Sequence, residues 1–198
     1  SEKGFFLNGK NIKIKGVCCH QDHAGVGVAV PDSLWEFRIK KIKEMGANAY
    51  RCAHSPVAKE FLDLCDKMGI LVMAETRHFN STPEFIRQLE WMIRRDRNHP
   101  SIILWSAFNE EPWQANRRGY EICARLVAAI RKLDKSRPVT GALSKNGDPL
   151  FSPLSACDAL DVVGINYQIN KYDLYHKKNP RKPVVSSENT CAYMVRGE

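Results

Sequence analysis

The sequence predicts an α/β fold and, within that class, a (β/α)8 TIM barrel. Three observations support this prediction. Short apolar runs alternate with longer amphipathic stretches along the 198 residues, in units of about 30 residues as in successive βαβ crossovers. Several of the runs are apolar throughout, as strands covered on both faces are. Ionisable residues stand at the end of one strand after another, and barrel enzymes collect such residues at the C-terminal rim of the sheet.

Capping residues and glycines delimit the predicted helices. Pro31-Asp32-Ser33 begins the first helix, which ends at Met45 before Gly46. Gly69 is the residue expected just past the second helix, and Thr82-Pro83 begins the third. The helices are predicted over residues 31–45, 57–68, from 83 onward, 117–133 and 170–178. The strands are predicted over residues 12–17, 48–52, 70–74, 101–108, 138–142, 160–166 and 183–187.

A doubly wound open sheet would show the same alternation as a barrel. Such a sheet commonly binds a nucleotide at a glycine-rich turn, but no GxGxxG or GxxxxGK[ST] stands between any strand and its helix. The lone Gly25-Val26-Gly27 is predicted to be a loop. The polar residues at the strand ends favour the barrel, and they are His20, Arg51, His54, Glu75, Asn109, Glu110, Asn166, Tyr167 and Glu188.

Composition excludes several classes of function. The formal net charge is +8, but the basic run at residues 38–43 is predicted to be the solvated face of a helix, and the run at 176–182 lacks the interleaved aromatic residues that stack bases. We therefore predict no nucleic-acid partner. No run approaches the ~20 apolar residues that span a bilayer, so no membrane partner is predicted. The seven cysteines form no CxxC pair, which indicates mostly reduced, buried thiols and no metal site.

Two acids stand where they could act together. The fourth predicted strand ends in Asn109-Glu110-Glu111, and the seventh ends in Glu188. Glycoside hydrolysis needs one carboxylic acid that protonates the leaving oxygen and one carboxylate that attacks the anomeric carbon, ~5–5.5 Å apart in retaining enzymes. Arg51 and Tyr167 are candidate hydrogen-bond donors to such a nucleophile. Residue chemistry alone leaves open that both acids are ordinary loop acids or arginine partners.

Four segments carry a family resemblance. The longest runs from Arg95 to Ser106 and continues with Asn109-Glu110. The others are Arg51-Cys52-Ala53-His54-Ser55-Pro56, Leu64 to Ile70 followed by Ala74-Glu75, and Gly16-Val17 followed by His20. In this order, and over nearly the whole chain, they resemble the central barrel of glycoside hydrolase family 2, which includes β-galactosidases, β-glucuronidases and β-mannosidases.

The resemblance implies a role for each residue of the site. Glu110, directly after Asn109, would be the general acid/base, and Glu188 would be the nucleophile. Asn109 would hydrogen-bond the sugar 2-OH. The remaining implied roles are Arg51 and Tyr167 holding Glu188 ionised, His20 and His54 lining the sugar site, and Glu75 supporting them. The expected substrate is an oligosaccharide or glycoside, with β-galactosidase as the leading specificity and no cofactor.

The sequence also departs from the family pattern. Cys18-Cys19 stands where many members have Asn-Arg or a similar polar pair, and no Glu-x-His follows Glu75, so a catalytic magnesium is not expected. A downstream Asn-x-Lys, associated with glucuronic acid recognition, is not found. Three alternatives stay open: a β-glucuronidase or β-mannosidase, a carbohydrate-binding barrel with impaired catalysis, and a metal-dependent barrel enzyme that uses Glu75 with His20 or His78.

The barrel is expected to be incomplete within the sequence. A closed barrel has eight strands and typically ~250 residues, whereas seven strands are predicted here, so residues 1–198 form a single catalytic domain truncated after the seventh strand. A longer parent protein, with flanking β-sandwich domains by resemblance, or a partner chain would supply the eighth. The unpaired edges of the first and seventh strands predict self-association of the chain alone.

Overall fold

The computed structural model describes residues 3–190 and confirms the α/β fold. The strands are β1 Phe6–Leu7, β2 Lys10–Asn11, β3 Gly16–His20, β4 Ala49–Ala53, β5 Leu71–Glu75, β6 Ile102–Asn109, β7 Val139–Leu143, β8 Val163–Asn166 and β9 Val184–Glu188. The α-helices are α1 Asp32–Glu44, α2 Lys59–Met68, α3 Pro83–Asp96, α4 Arg117–Leu133, α5 Ala156–Ala159 and α6 Tyr172–Lys178. Short 3-10 turns cover Pro112–Ala115 and Ile169–Lys171.

Seven parallel strands, β3 to β9, form one sheet in the order of the sequence. Hydrogen-bonded strands lie ~4.8 Å apart, so β4 and β9 would be about 24 Å apart in a flat sheet. Arg51 of β4 nevertheless donates to Glu188 of β9 at 2.9 Å. The sheet is therefore curled as in a TIM barrel, with the helices outside. Within residues 3–190 it has seven of the eight strands of such a barrel.

The main core lies between the outer face of the sheet and the helices. Trp35 of α1 and Tyr50 of β4 both pack on Phe61 of α2, with ring centroids 4.8 and 4.6 Å apart. In α1, Ile39 and Ile42 are buried while the lysines between and beside them are exposed. The basic run 38–43 is thus the solvated side of an amphipathic helix.

The cysteines of the described residues are free thiols. Cys52, Cys65, Cys123 and Cys157 are buried, as the apolar runs around them predict. Burial raises the pKa of Cys65 above its ordinary value, as it does for the other three. Cysteine here acts as a small core residue. No helix among residues 3–190 is long and apolar enough to cross a membrane.

Two strand boundaries were predicted wrongly. The first barrel strand was expected over 12–17 but spans Gly16–His20, because its ladder begins only where Gly16 meets Ala49, the first residue of β4. His20 is therefore the last residue of this strand. The strand expected over 160–166 begins at Val163, because Asp161 accepts a hydrogen bond from the backbone N–H of Val139 before the ladder starts.

Some short elements were not predicted at all. These are the β1–β2 hairpin, the 3-10 turn after Glu110 and the single-turn helix α5. In α5, Ser155 and Asp158 form a reciprocal capping box, which offsets the cost of starting so short a helix.

Candidate active site

The predicted site residues come together at one end of the sheet. Because the strands are parallel, all their C-terminal ends lie on the same rim. Each residue is the last of a strand or lies one or two residues from the strand's end. Arg51, in the middle of β4, points to the inner face of the curled sheet. The residues and their strands are His20 (β3), Arg51 and His54 (β4), Glu75 (β5), Asn109 and Glu110 (β6), Asn166 and Tyr167 (β8) and Glu188 (β9).

Arg51 connects this cluster. Its side chain is 4% exposed, and it donates to three acceptors from three other strands. Nη2 is 2.8 Å from Glu75 Oε1 and 2.8 Å from Asn109 Oδ1, while Nη1 is 2.9 Å from Glu188 Oε2. Burial opposes the charged form, but the adjacent carboxylates, first Glu75 and then Glu188, raise the pKa of Arg51 above its usual value. The guanidinium is thus a permanent cation between two carboxylates.

Glu75 is fully buried and hydrogen-bonds the side chains around it. It accepts hydrogen bonds from Arg51 and, at 2.6 Å, from the Ser106 hydroxyl of β6. His54 Nδ1 is 2.9 Å from Glu75 Oε1 and 3.2 Å from Arg51 Nη2. Arginine has no acceptor atoms, so the carboxylate is the partner that fixes a proton on Nδ1. The other ring nitrogen, Nε2, faces Glu188 Oε2 at 3.8 Å.

Glu188 lies in surroundings that favour its ionised form. Its side chain is 19% exposed. Burial alone would raise its pKa, but hydrogen bonds from the Tyr167 hydroxyl and from Arg51 outweigh burial and lower the pKa of Glu188 below its ordinary value. Each carboxylate oxygen receives one donor, Oε1 from Tyr167 and Oε2 from Arg51. At neutral pH, Glu188 is a carboxylate held in a fixed orientation.

Glu110 lies in different surroundings. It has a left-handed backbone conformation with φ 45°, and its N–H donates to the Ala142 carbonyl of β7 at 2.9 Å. Its carboxyl oxygen Oε1 accepts a hydrogen bond from the Asn166 amide at 3.0 Å. Among residues 3–190 no cation forms an ion pair with Glu110 at the distances of such pairs. The two acids thus differ in their partners, a cation and a phenol for Glu188 and a neutral amide for Glu110.

Asn166 joins the two halves of the cluster, although it was not among the residues predicted to bind substrate. Its Nδ2 donates to Asn109 Oδ1 at 3.2 Å as well as to Glu110, and its Oδ1 accepts from the Ser187 hydroxyl at 2.6 Å. Its position directly before Tyr167 at a strand end was the sequence signal that could have identified it. Asn109 Oδ1 has two donors, from Arg51 and Asn166. Its amide N–H2 has no acceptor among residues 3–190 and can donate to a ligand.

The remaining predicted residues lie at the edge of the cluster. His20 is exposed, and its ring stands edge-on to that of His54 with centroids 5.0 Å apart. Cys18 of β3 lies next to Arg51, whose Nη1 is 3.3 Å from Sγ, and burial raises the pKa of the Cys18 thiol to about 11. Glu111 hydrogen-bonds none of these residues through its side chain, and burial raises its pKa despite Arg77 and His78.

One group of side chains among residues 3–190 has the spacing of metal ligands. Asp63, Asp66 and His99 bring ligand atoms within 4.8 Å of one another. They lie near the N-terminal end of β6, opposite the rim that carries the acids. Asp66 is already bonded to His99 Nδ1 at 2.7 Å and to the Ser101 N–H at 2.9 Å, which indicates a structural link. Neither Glu75 nor the histidines of the rim belong to this group.

Comparison with known proteins places the chain in a family. A sequence model described as "Glycosyl hydrolases family 2, TIM barrel domain" matches residues 1–82 and 78–197. The chain is 36% identical over 244 aligned positions to β-galactosidase BoGH2A of Bacteroides ovatus, with 100% of the chain and 28% of that protein covered. It is 34% identical over 194 positions to a β-glucuronidase of Bacteroides fragilis, with 91% and 26% covered.

A solved structure leads to the same family. It is a glycosyl hydrolase family 2 member from Bacteroides cellulosilyticus, which superimposes with a TM-score of 0.85 at 34% identity and covers 95% of this chain and 26% of its own. The chain thus spans about a quarter of the length of these relatives. The matches to the family model and to these proteins show that the chain belongs to glycoside hydrolase family 2, as its TIM barrel domain.

Proposed function

We propose that the protein carrying this barrel is a retaining exo-β-glycosidase that acts by double displacement. The observation that carries the proposal is the pair of acids at the ends of β6 and β9, whose hydrogen-bond partners differ in charge. Glu188 receives a cation and a phenol that favour the carboxylate, as a nucleophile requires. Among residues 3–190, Glu110 receives a neutral amide and no cation, and it stands at the end of β6 on the same rim as the nucleophile, which fits the role of acid/base.

In the first step Glu188 attacks the anomeric carbon while Glu110 protonates the leaving oxygen. A bond forms between a Glu188 oxygen and the sugar, the bond to the leaving group breaks, and the proton of Glu110 goes to the leaving alcohol. Arg51 and Tyr167 orient Glu188 for this attack. The free amide of Asn109 donates to the sugar 2-OH, where a hydrogen bond that strengthens in the transition state lowers the barrier.

In the second step Glu110, now a carboxylate, takes a proton from water. The water oxygen bonds to the anomeric carbon, and Glu188 is released as a carboxylate. The sugar thereby leaves with the configuration it had in the substrate. His20 and His54 line the sugar site, and Glu75 keeps Arg51 and His54 in place.

β-Galactosides are the substrates we propose first. The support is the β-galactosidase of Bacteroides ovatus, which is 36% identical with the whole chain covered. The 34% identity to a β-glucuronidase makes glucuronides the second candidate, with β-mannosides a third member of the same family. Because the chain spans about a quarter of these relatives, we also propose that further domains, β-sandwiches by resemblance, accompany the barrel in the full-length protein.

The decisive experiment uses the full-length protein and a panel of nitrophenyl β-glycosides. We expect turnover to be fastest on the β-galactoside, and the Glu188→Gln variant to lose turnover while it keeps the wild-type circular dichroism spectrum. A fluorinated glycoside should label wild-type Glu188 covalently. Wild-type turnover by Glu188→Gln would refute the nucleophile assignment. Sugar binding with neither turnover nor labelling would favour the alternative of an impaired carbohydrate-binding barrel, to which the unusual Cys18-Cys19 points.

A further inference from the structure

A second concave site lies beside the proposed catalytic residues and shares His54 with them. It is a pocket of about 440 Å³ between the loops that follow β4 and β5 and one face of α3. We name it the cationic pocket, and the residues that line it include His54, Arg77, His78, Glu84, Arg87 and Trp91. None of them except His54 has a part in the hydrolysis described above.

The cationic pocket contains two arginines whose guanidinium groups form no close ion pair within residues 3–190. Within residues 3–190, the side chains of Arg77 and Arg87 take part in no ion pair and no hydrogen bond, although the other arginines of α3 are bonded to acids. One acid, Glu84, also lines the pocket, and the Gln88 amide donates to it at 3.5 Å. Two guanidinium groups that line the same concave surface are suited to a carboxylate or a sulfate.

Glu111 connects the pocket with the proposed acid. Burial raises the pKa of Glu111, and the nearby charges of Arg77 and His78 offset part of that rise. Glu111 directly follows Glu110, the proposed acid. The acid must stand next to the leaving oxygen, so a leaving group that extends past Glu111 would reach Arg77.

Trp91 gives the pocket an apolar wall. Its side chain is 58% exposed, and the Arg95 guanidinium lies 4.8 Å from the centre of its ring. Arg95 stacks on one face of the indole, and the remaining surface of the ring can pack against an aryl or sugar ring. The pocket thus offers a flat apolar surface with cations beside it.

We propose that the cationic pocket binds an anionic substituent, a carboxylate or a sulfate, on the leaving group of the substrate. The proposal rests on the proposed glycosidase function, because it names the substrate class that the same site selects. Arg77 and Arg87 hold the anion, and Trp91 packs on the ring that carries it. The expected substrates are glycosides whose second unit is acidic.

The test compares three aryl glycosides of the sugar that the full-length protein cleaves fastest. Their nitrophenol leaving groups carry a carboxylate, a sulfate ester or a neutral methyl ester. Arg87→Gln should lower kcat/KM on an anionic substrate about fivefold more than on the methyl ester, as expected for one partly exposed charge pair. The difference should lie in KM and should shrink in 0.5 M salt. Each substrate is compared between variant and wild type, so the different acidities of the phenols cancel.

Arg94→Gln is the matched control, because Arg94 also lies on α3 but is paired with Glu90. It should leave all three values unchanged. A loss on only one of the two anions identifies the group that the pocket takes, while equal losses on all three substrates, or none, would overturn the proposal. Calorimetric titration of the free carboxylated and sulfated phenols gives an answer without turnover. If no glycoside is cleaved, the proposed function is wrong. If Arg87→Gln binds the carboxylated and sulfated phenols as tightly as the wild type does, the proposed anion site is wrong, whatever the outcome for hydrolysis.

Discussion

Replacing Tyr167 by phenylalanine should shift the pH dependence of hydrolysis. The Tyr167 hydroxyl donates to Glu188 Oε1 and is one of the groups that lower the pKa of Glu188. A hydrogen bond to a charged group contributes ~1.5–3 kcal/mol. Tyr167 is 45% exposed, so water replaces part of the lost bond and the lower end of the range applies. A loss of ~1.5 kcal/mol raises the pKa of Glu188 by about one unit.

The sign follows from the role proposed for Glu188, because a nucleophilic carboxylate must be ionised to attack. A raised pKa moves the acidic limb of the kcat/KM profile about one unit toward higher pH, because that limb reports the free enzyme's nucleophile. The profile should be measured on the full-length protein with its best aryl glycoside. Tyr172→Phe is the control, since the Tyr172 hydroxyl bonds the Ile165 carbonyl and the Asn189 amide but no carboxylate. An acidic limb that stays in place in Tyr167→Phe, or moves equally in Tyr172→Phe, would refute the reasoning.

Three further predictions concern the rest of the barrel. Asn166→Ala removes the only side-chain donor to Glu110 found in residues 3–190. It should lower kcat about 100-fold, the size expected when a catalytic group is displaced. A wild-type kcat in the correctly folded variant would contradict this. Gly164→Ala would place a Cβ 2.5 Å from a backbone oxygen of β7 and should lower the free energy of unfolding in urea by ~1–3 kcal/mol. Gly16→Ala, whose Cβ meets only ordinary contacts from 3.6 Å, should lower it by less. The reverse order would show the packing argument to be wrong. The 198-residue polypeptide expressed alone should elute as oligomers in size exclusion with light scattering, because β3 and β9 each have one strand neighbour in the described sheet; a monomer would count against this.

Local patterns were enough to predict the elements whose ends depend on nearby residues. Helix α4 spans Arg117–Leu133 as expected, because its apolar period and its cap at Asn116 lie within the segment. The first barrel strand was misplaced because Ile12 and Ile14 alternate with lysines as strand residues do, while its hydrogen-bonding partner is more than 30 residues away. Sequence periodicity cannot show where that ladder begins.

The same distinction applies to the site. Strand-end acids could be found in the sequence, and the family resemblance separated Glu110 from Glu111. Asn166 was noticed as a strand-end residue but given no role, because its contacts depend on the register between strands. The β8–β9 ladder shifts between Ile165 and Asn166, and this shift accompanies the contact of Asn166 with Ser187. Such a shift has no local sequence pattern.

The contact between Arg51 and Glu188 also has a consequence for folding. It joins residues 137 positions apart, and contacts of such high sequence separation carry a large loop-closure entropy, so chains that depend on them fold slowly. Strand pairs next to each other in the sequence can form before this contact does. The proposed nucleophile therefore forms its hydrogen bond with Arg51 of β4 only when the sheet has curled and brought β4 and β9 together. After refolding, hydrolysis should recover later than helix content.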